Sequence, residues 1–421
     1  MDDSRRVTVI IDGEKVIAHL GEKIWDAALT AGIEIPNLCY DTKLNPNGKC
    51  GLCVVQIDGK EPVLACETPV QDGMDIITEN ELLDTLRREA LRKMVDKHLG
   101  DCSAPCRLEC PADSDCQGYA SLIAEGYFAE ALQLIKSKYP IPASLGRICP
   151  RPCEDACRRN LLEDAVSLAK LKRFVADLDL GLESSYIPKT APATGKCVAI
   201  VGGGPAGLTA AWQLLQKGHE VTIYEAMTEM GGMLRYGIPE FRLPKAVLDQ
   251  EIALIEAMGA KMNRSCPIDE KQFDELRKQY DAVFVSIGAW KSSTLSIPGE
   301  YLHNVMSGLD FLRRVAQQET LNLGKHVVVV GGGNTAIDAC RAAYRLPSVK
   351  KVTLVYRRDR DQMPAIEEER LEAEKEGIDF CFLATPVEIK PCNDELYLVL
   401  QKMHLAMPDA SGRRRPEPIT G

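Results

Sequence analysis

Eleven of the chain's sixteen cysteines precede residue 160, and they fall in three tight groups. The groups are Cys39, Cys50, Cys53 and Cys66; then Cys102, Cys106, Cys110 and Cys116; then Cys149, Cys153 and Cys157. Thiolates at such short spacings can converge on a single inorganic centre. Two glycine-rich fingerprints follow, GGGPAG from Gly202 and GGGNTA from Gly331. Soft ligands ahead of two dinucleotide units point to electron transfer, with one-electron centres beside a flavin and a nicotinamide.

A chain of 421 residues suffices for three or four domains. The formal charge of −10 argues against a nucleic-acid surface. The basic run Arg413, Arg414, Arg415 follows Ser411-Gly412 and reads as a solvated turn. The N-terminal MDDSRRVTVIIDG lacks an apolar signal region, and no apolar run approaches the ~20 residues a membrane helix needs. The expectation is a cytoplasmic protein with no membrane partner. Clustered thiols in a reducing compartment read as metal or cluster ligands rather than disulfides. Cys197 and Cys340 stand alone in apolar patterns and read as small buried hydrophobes.

Residues 5–79 alternate short β-patterns with turns and contain one helical stretch, IWDAALTAG. Residues 80–97 have helical periodicity and look like a connecting helix. Cysteine loops then alternate with helices such as YASLIAEGYFAEALQLIKSK, and SSYIPKTAPATGK is the clearest linker. Two strand–glycine loop–helix units follow, each strand a continuous apolar run suited to a covered parallel sheet. The fold class expected is multidomain α/β plus α+β: a β-grasp 2Fe–2S domain (1–79), a helical 4Fe–4S domain (80–183), an FAD-binding domain (196–300) and an NADP-binding domain (301–421).

Cys39, Cys50, Cys53 and Cys66 in a small β unit suit a 2Fe–2S centre. Structural zinc is the alternative, although zinc more usually shows two CxxC pairs and here there is one. The motifs IPNLCY and GKCGLC make residues 6–79 resemble the 2Fe–2S domain of the largest peripheral subunit of NADH-quinone oxidoreductases and of iron-only hydrogenases. The segments DCSAPCRLECPADSDCQGY and GRICPRPCEDAC resemble the N-terminal domain of glutamate synthase small subunits and dihydropyrimidine dehydrogenase, which holds two 4Fe–4S clusters. The resemblance implies Cys102, Cys106 and Cys157 for one cluster and Cys110, Cys149 and Cys153 for the other. Seven cysteines are one short of the eight ligands two cubanes need. His98, four residues before Cys102, is the candidate for the first vacancy; otherwise it is a solvated residue at a helix end. In the second cluster the resemblance aligns Lys172 with a non-cysteine ligand, and a protonated lysine cannot ligate iron. Cys116 is the candidate there; otherwise it faces the core.

Each fingerprint follows an apolar strand and opens a helix, the context a dinucleotide site requires. Gly202 permits the tight turn, Gly204 the approach to the diphosphate and Gly207 the helix packing, with Pro205 and Ala206 opening the helix. Gly331, Gly333 and Ala336 have those roles in the second unit, with Asn334 and Thr335 opening its helix. The first unit ends in IYEA, and Glu225 there suits ribose hydroxyls. The second ends in VYRR, and Arg357 and Arg358 suit the 2′-phosphate of NADP(H), unless one of them merely points to solvent.

The loop GGMLRYGIPEFRLPK resembles the flavin-side loop of the glutamate synthase small subunit family. That resemblance implies FAD in the first unit, with Gly231, Gly232 and Arg242 at the cofactor, and NADPH in the second. The family returns to a final FAD segment after its NADPH domain; this sequence ends before it, which implies a truncated chain or a longer protein. No nucleophile or general base stands out, so no catalytic residue is assigned. The sequence therefore reads as an NAD(P)H-dependent iron–sulfur flavoprotein subunit. Its expected partners are other redox subunits and ferredoxin, as in an electron-bifurcating NADP:ferredoxin oxidoreductase or an NADP-linked formate dehydrogenase or hydrogenase. A glutamate synthase small subunit is the alternative, and a redox sensor or carrier module a non-enzymatic one.

Overall fold

The computed structural model describes residues 6–41, 48–98, 102–393, 395–409 and 414–419. The chain divides into two compact units, Met1–Cys102 and Ser103–Gly421.

In the first unit β1 (Arg6–Ile11) and β2 (Glu14–His19) form a hairpin. Its turn is Asp12-Gly13, both at positive φ, the geometry a two-residue hairpin loop requires. Helix α1 (Ile24–Thr30) packs Ile24, Ala27 and Ala28 into the core. Then come β3 (Val54–Ile57), β4 (Val63–Leu64) and β5 (Asp75–Ile77). The sheet order is β2-β1-β5-β3-β4, with β1 and β5 parallel and the other pairs antiparallel. Val7, Val9 and Ile11 alternate inward along β1, as a strand with one covered face should. Helix α2 (Glu81–Asp96) starts where Asn80 accepts from the Leu83 N–H. Its buried Arg87 donates to the carbonyls of Leu52, Val54 and Thr78, tying the helix to the strand that follows Cys53.

The second unit opens with six helices: α3 (Pro105–Leu108), α4 (Cys116–Ala124), α5 (Phe128–Lys136), α6 (Pro142–Ile148), α7 (Pro152–Asp155) and α8 (Leu168–Leu180). The stretch 119–138 reads as one helical pattern but forms parts of two helices. Gly126, left-handed at φ +85°, ends the first. The next elements are β6 (Cys197–Val201), α9 (Pro205–Gln216), β7 (Glu220–Tyr224), α10 (Met233–Tyr236), α11 (Lys245–Ala257), β8 (Lys261–Asn263), α12 (Glu270–Gln279) and β9 (Ala282–Val285). Their strands form a parallel sheet of order β8-β7-β6-β9.

Helix α13 (Gly308–Ala316) leads into β10 (His326–Val330), α14 (Asn334–Tyr344), β11 (Lys351–Tyr356), α15 (Glu367–Lys375) and β12 (Asp379–Phe382), a second parallel sheet. The antiparallel strands β13 (Ala384–Cys392), β14 (Glu395–Leu405) and β15 (Pro416–Pro418) follow. Cys340 is fully buried, as its apolar context predicts. Cys197 is only half-buried, because it opens β6 at the end of the sheet.

The cysteine-bearing helices and the first parallel sheet share one core. Ile141 packs with Val198, Ile200, Leu208 and Trp212. The Trp212 indole N–H donates to the Lys136 carbonyl at 3.0 Å. The Lys136 ammonium donates to Asp179 at 3.1 Å and to the Tyr186 carbonyl at 3.0 Å. Glu251 on α11, 1% exposed, accepts from the Ala143 and Ser144 N–H groups at 2.6 and 2.9 Å, the start of α6. Burial pushes its carboxyl up to about 7, against the pull of those donors and of Lys136.

Candidate functional site

All sixteen cysteines are free thiols. In the first unit Cys50, Cys53 and Cys66 are buried and Cys39 is half-buried. Burial alone pushes the Cys50 thiol up, but the backbone N–H groups of Leu52 and Leu38 and the Cys39 side chain hold it below its ordinary value. Burial and a hydrogen bond with Cys53 push Cys66 up to about 12, and the Cys39 charge adds to the effect. The four thiols therefore act on one another as two touching pairs, the environment a polynuclear thiolate centre needs. Part of the turn-rich NPNGKCG segment, Asn45 to Asn47, lies outside the described residues. His98 Nε2 lies 3.9 Å from Cys102 Sγ in the same unit.

In the second unit Cys116, at the start of α4, and Cys153, in α7, are buried and hydrogen-bonded to each other. That bond lowers Cys153 to about 7, with help from the Lys172 ammonium, and with burial it raises Cys116 far above its ordinary value. Buried Tyr139 packs in the same core as Cys116 and Cys153; burial raises its hydroxyl, the Ser114 hydrogen bond opposes that, and the charges of Cys110, Cys116 and Cys149 add to it. The Cys149 thiol accepts from the Arg151 N–H at 3.4 Å. Cys116 and Cys153 thus belong to one buried core, with half-buried Cys106 and Cys110 packed against it. Burial likewise raises Cys106, and the Cys153 and Cys157 charges add to it. Among the described residues no three His, Cys, Asp or Glu side chains close around a single metal ion.

The first fingerprint lies between β6 and α9. A Cβ at Gly232 would stand 2.8 Å from the Gly204 Cα, and Gly232 has φ +51°. Only glycines let these two loops approach so closely, and they form the cradle a dinucleotide's diphosphate occupies. No side chain caps the start of α9, so its first-turn N–H groups remain available to an anion. Pro205 is the first residue of that helix, Ala206 follows on its exposed side, and Gly207 packs against the Gly202 carbonyl. Buried Glu225 follows directly on β7, the second strand of the unit. Its carboxylate accepts from the Gly203 and Met227 N–H groups, each at 2.8 Å, and so is held fixed beside the loop.

The second fingerprint repeats the form. Gly331 has φ +145°, Gly333 precedes α14, and no side chain caps that helix. Buried Ala336 packs beneath the turn. The Asn334 side chain is committed to the Ile366 N–H at 2.9 Å. Arg357 is exposed; Arg358 is half-buried, and its Nε is buried with no hydrogen-bond partner. The exposed Arg357 guanidinium has the chemistry that suits an anionic ligand such as a phosphate.

The Arg242 guanidinium, expected at the flavin, is paired with two carboxylates. It lies 2.7 Å from Asp338 on α14 and 2.9 Å from Glu369 on α15, all three side chains largely buried. Burial pushes the Asp338 carboxyl up to about 6, although Arg242 opposes it. Arg341 continues the network to Glu369 and Glu376, and its guanidinium stacks over the Phe241 ring. A cavity of about 220 Å³ opens beside this bridge, lined by Ile148, Met233, Ile238, Arg242, Thr335 and Asp338. It touches the flavin-side loop, the start of α14 and the residue before Cys149.

Sequence reasoning missed Asp338, Glu251 and Lys245. The Lys245 ammonium donates to the carbonyls of Leu234, Ile238 and Leu243, and burial pulls its pKa down to about 8. Each partner set comes from the folded loop or from another helix, so no local pattern announces it.

Three family models match in series. One described as a 2Fe-2S iron-sulfur cluster binding domain covers residues 4–81. A dihydropyrimidine dehydrogenase domain II, 4Fe-4S cluster, covers 79–183. A pyridine nucleotide-disulphide oxidoreductase covers 196–406. The NADPH-Fe(3+) oxidoreductase subunit beta of Geobacter sulfurreducens is 36% identical over 420 residues, 97% of this chain and 60% of that protein. The NADP(+)-dependent formate dehydrogenase subunit beta of Moorella thermoacetica is 38% identical over 345 residues, 76% of this chain and 49% of that one. The glutamate synthase [NADPH] small chain of Azospirillum brasilense is 33% identical over 339 residues, 76% of this chain and 70% of that one. The chain thus spans about half to three fifths of the length of the first two relatives. Its cofactors are FAD and NADP in the oxidoreductase part, with 2Fe–2S and 4Fe–4S centres in the domains ahead of it. Cysteine domains, glycine cradles and sequence kinship agree that the chain belongs to the pyridine nucleotide-disulphide oxidoreductase family, as an iron–sulfur member.

Proposed function

We propose that this chain is the NADPH-oxidising or NADP-reducing flavoprotein part of a multisubunit cytoplasmic redox enzyme, passing electrons between NADP(H), FAD and iron–sulfur centres to partner subunits. The single observation that carries the reading is the shared core. The helical segment that carries Cys110, Cys116, Cys149 and Cys153 and the sheet holding the Gly204–Gly232 cradle are locked together by Trp212, Lys136 and Glu251. When bound, the nicotinamide and flavin exchange a hydride and the clusters carry single electrons.

The chain's own residues bind and orient. Gly202, Gly204, Gly207, Gly231 and Gly232 admit the FAD diphosphate, and Glu225 holds its ribose. Gly331, Gly333 and Ala336 admit the NADP diphosphate, and Arg357 and Arg358 hold its 2′-phosphate. Cys39, Cys50, Cys53 and Cys66 hold the 2Fe–2S centre, and Cys110, Cys116, Cys149 and Cys153 one 4Fe–4S centre. His98, Cys102, Cys106 and Cys157 are assigned to another 4Fe–4S centre from sequence alone. The domains follow the boundaries 1–79, 80–183, 196–300 and 301–421.

The partners we infer are redox subunits of the kind named for the Geobacter and Moorella relatives, with ferredoxin as a candidate acceptor. Kinship over 97% of this chain, including the 2Fe–2S part, favours this over a glutamate synthase small subunit, whose match covers 76%. Affinity purification of the natural complex under anaerobic conditions tests it. NADPH should reduce the flavin and the clusters, and redox subunits should co-purify. An amidotransferase partner supports the glutamate synthase reading, and clusters that NADPH leaves oxidised overturn the proposal.

A further inference from the structure

Helix α8 carries a lysine into a pocket of thiols and rings. Lys172 is 7% exposed. Its neighbours along the helix, Leu168 and Val175, join the core of Cys116, Tyr119, Tyr139 and Cys153. Its ammonium sits over the Tyr139 ring, 5.4 Å from the centroid. Among the described residues no carboxylate pairs with it. The other buried lysine of these helices, Lys136, has Asp179 at 3.1 Å. A buried ammonium without a counter-charge is costly, so an anion of another kind is called for.

The position of Lys172 is fixed from both sides. Glu154, next to Cys153, accepts from the Ala169 N–H at 2.8 Å in the first turn of α8. Gly146, three residues before Cys149, lies so close to α8 that a Cβ there would stand 2.8 Å from the Arg173 Cα. Residue 172 is thereby clamped between the segments that carry Cys149 and Cys153.

We propose that Lys172 tunes the 4Fe–4S centre of Cys110, Cys116, Cys149 and Cys153, its fixed positive charge stabilising the more negative, reduced form. This rests on the assignment of those four thiols to one centre, made above. Four thiolates leave such a centre with net negative charge, and each one-electron reduction adds another. No bond forms and no proton moves; the electron comes from the reduced flavin and leaves for the next centre. Net charge and local fields set cluster potentials, and in a buried site a nearby cation acts with little screening.

The test is a redox titration followed by EPR on the full chain, purified anaerobically, as wild type, Lys172→Met and Lys172→Arg. Lys172→Met should make one 4Fe–4S signal at least tenfold harder to reduce at the wild-type midpoint, a shift of about 59 mV for one electron. Lys172→Arg keeps the charge and should stay near the wild-type value, and the other centres should not move. If Lys172→Met loses the centre while Lys172→Arg keeps it at the wild-type potential, the charge is still what the centre requires. Loss in both variants would make Lys172 a packing residue and overturn the proposal, as would unchanged potentials in Lys172→Met. Cys116→Ser separates the underlying assignment: if that variant retains every 4Fe–4S signal unaltered, the ligand set itself is wrong.

Discussion

Arg358 shows how much one side chain can imply. Its Nε is buried without a hydrogen-bond partner, which is expensive, and the residue stands two positions past the end of β11 in the second dinucleotide unit. Exposed Arg357 stands next to it. Each charge-assisted contact to a 2′-phosphate is worth roughly 1.5–3 kcal/mol. Replacing both arginines with alanine should therefore weaken NADPH at least ~100-fold and leave NADH nearly unchanged. Binding titrations with both nucleotides check this; equal weakening would remove the phosphate from these residues. The VYRR motif marks this pair as the candidate, because the end of that strand is where ribose recognition falls. The partners of Arg242 were not readable in the same way. Its counter-charges, Asp338 and Glu369, come from helices of the other nucleotide unit. A motif identifies a loop, but it does not say which carboxylates the folded chain brings against it.

At the scale of elements, two packing features carry consequences of their own. Gly232 has a left-handed φ and no room for a Cβ against Gly204. Gly232→Ala should cost about 1–3 kcal/mol of local strain and force the two loops apart. The purified variant should show a lower FAD-to-iron ratio with its iron content intact; a wild-type ratio would mean that the flavin does not use this cradle. Helix α6 depends instead on Glu251. Its folded pKa of about 7 stands above the ordinary value of 4.5, so the folded state keeps a proton that the unfolded state releases. Stability from this group is greatest below about pH 4.5 and falls as pH rises towards 7. Glu251→Gln should flatten that decline, measurable as thermal midpoints at pH 5 and 7. Parallel slopes in the two proteins would show that the carboxyl does not titrate there. The elements themselves were largely legible, since glycine fingerprints, apolar strands and the Asp-Gly hairpin each follow from local backbone rules. Gly126 was the exception: it splits a stretch whose apolar periodicity runs on across it.

At the scale of the molecule, the cofactor inventory is the sharpest expectation. One 2Fe–2S and two 4Fe–4S centres require about ten irons per chain. Anaerobic metal analysis should find that number, and stoichiometric zinc with little iron would return the cysteines to structural sites. The spacing of the cysteines announced three groups, and the structure adds which buried thiols face one another. The seam of Trp212, Lys136, Asp179 and Glu251 has one more effect. Close-packed interiors resist compression and shear. The thiol-bearing helical segment and the sheet of the first glycine fingerprint are therefore held as one packed body, like two terminals soldered to one board. Under the proposed assignment, electron transfer across that seam is set by the relative potentials of donor and acceptor rather than by one part swinging against the other.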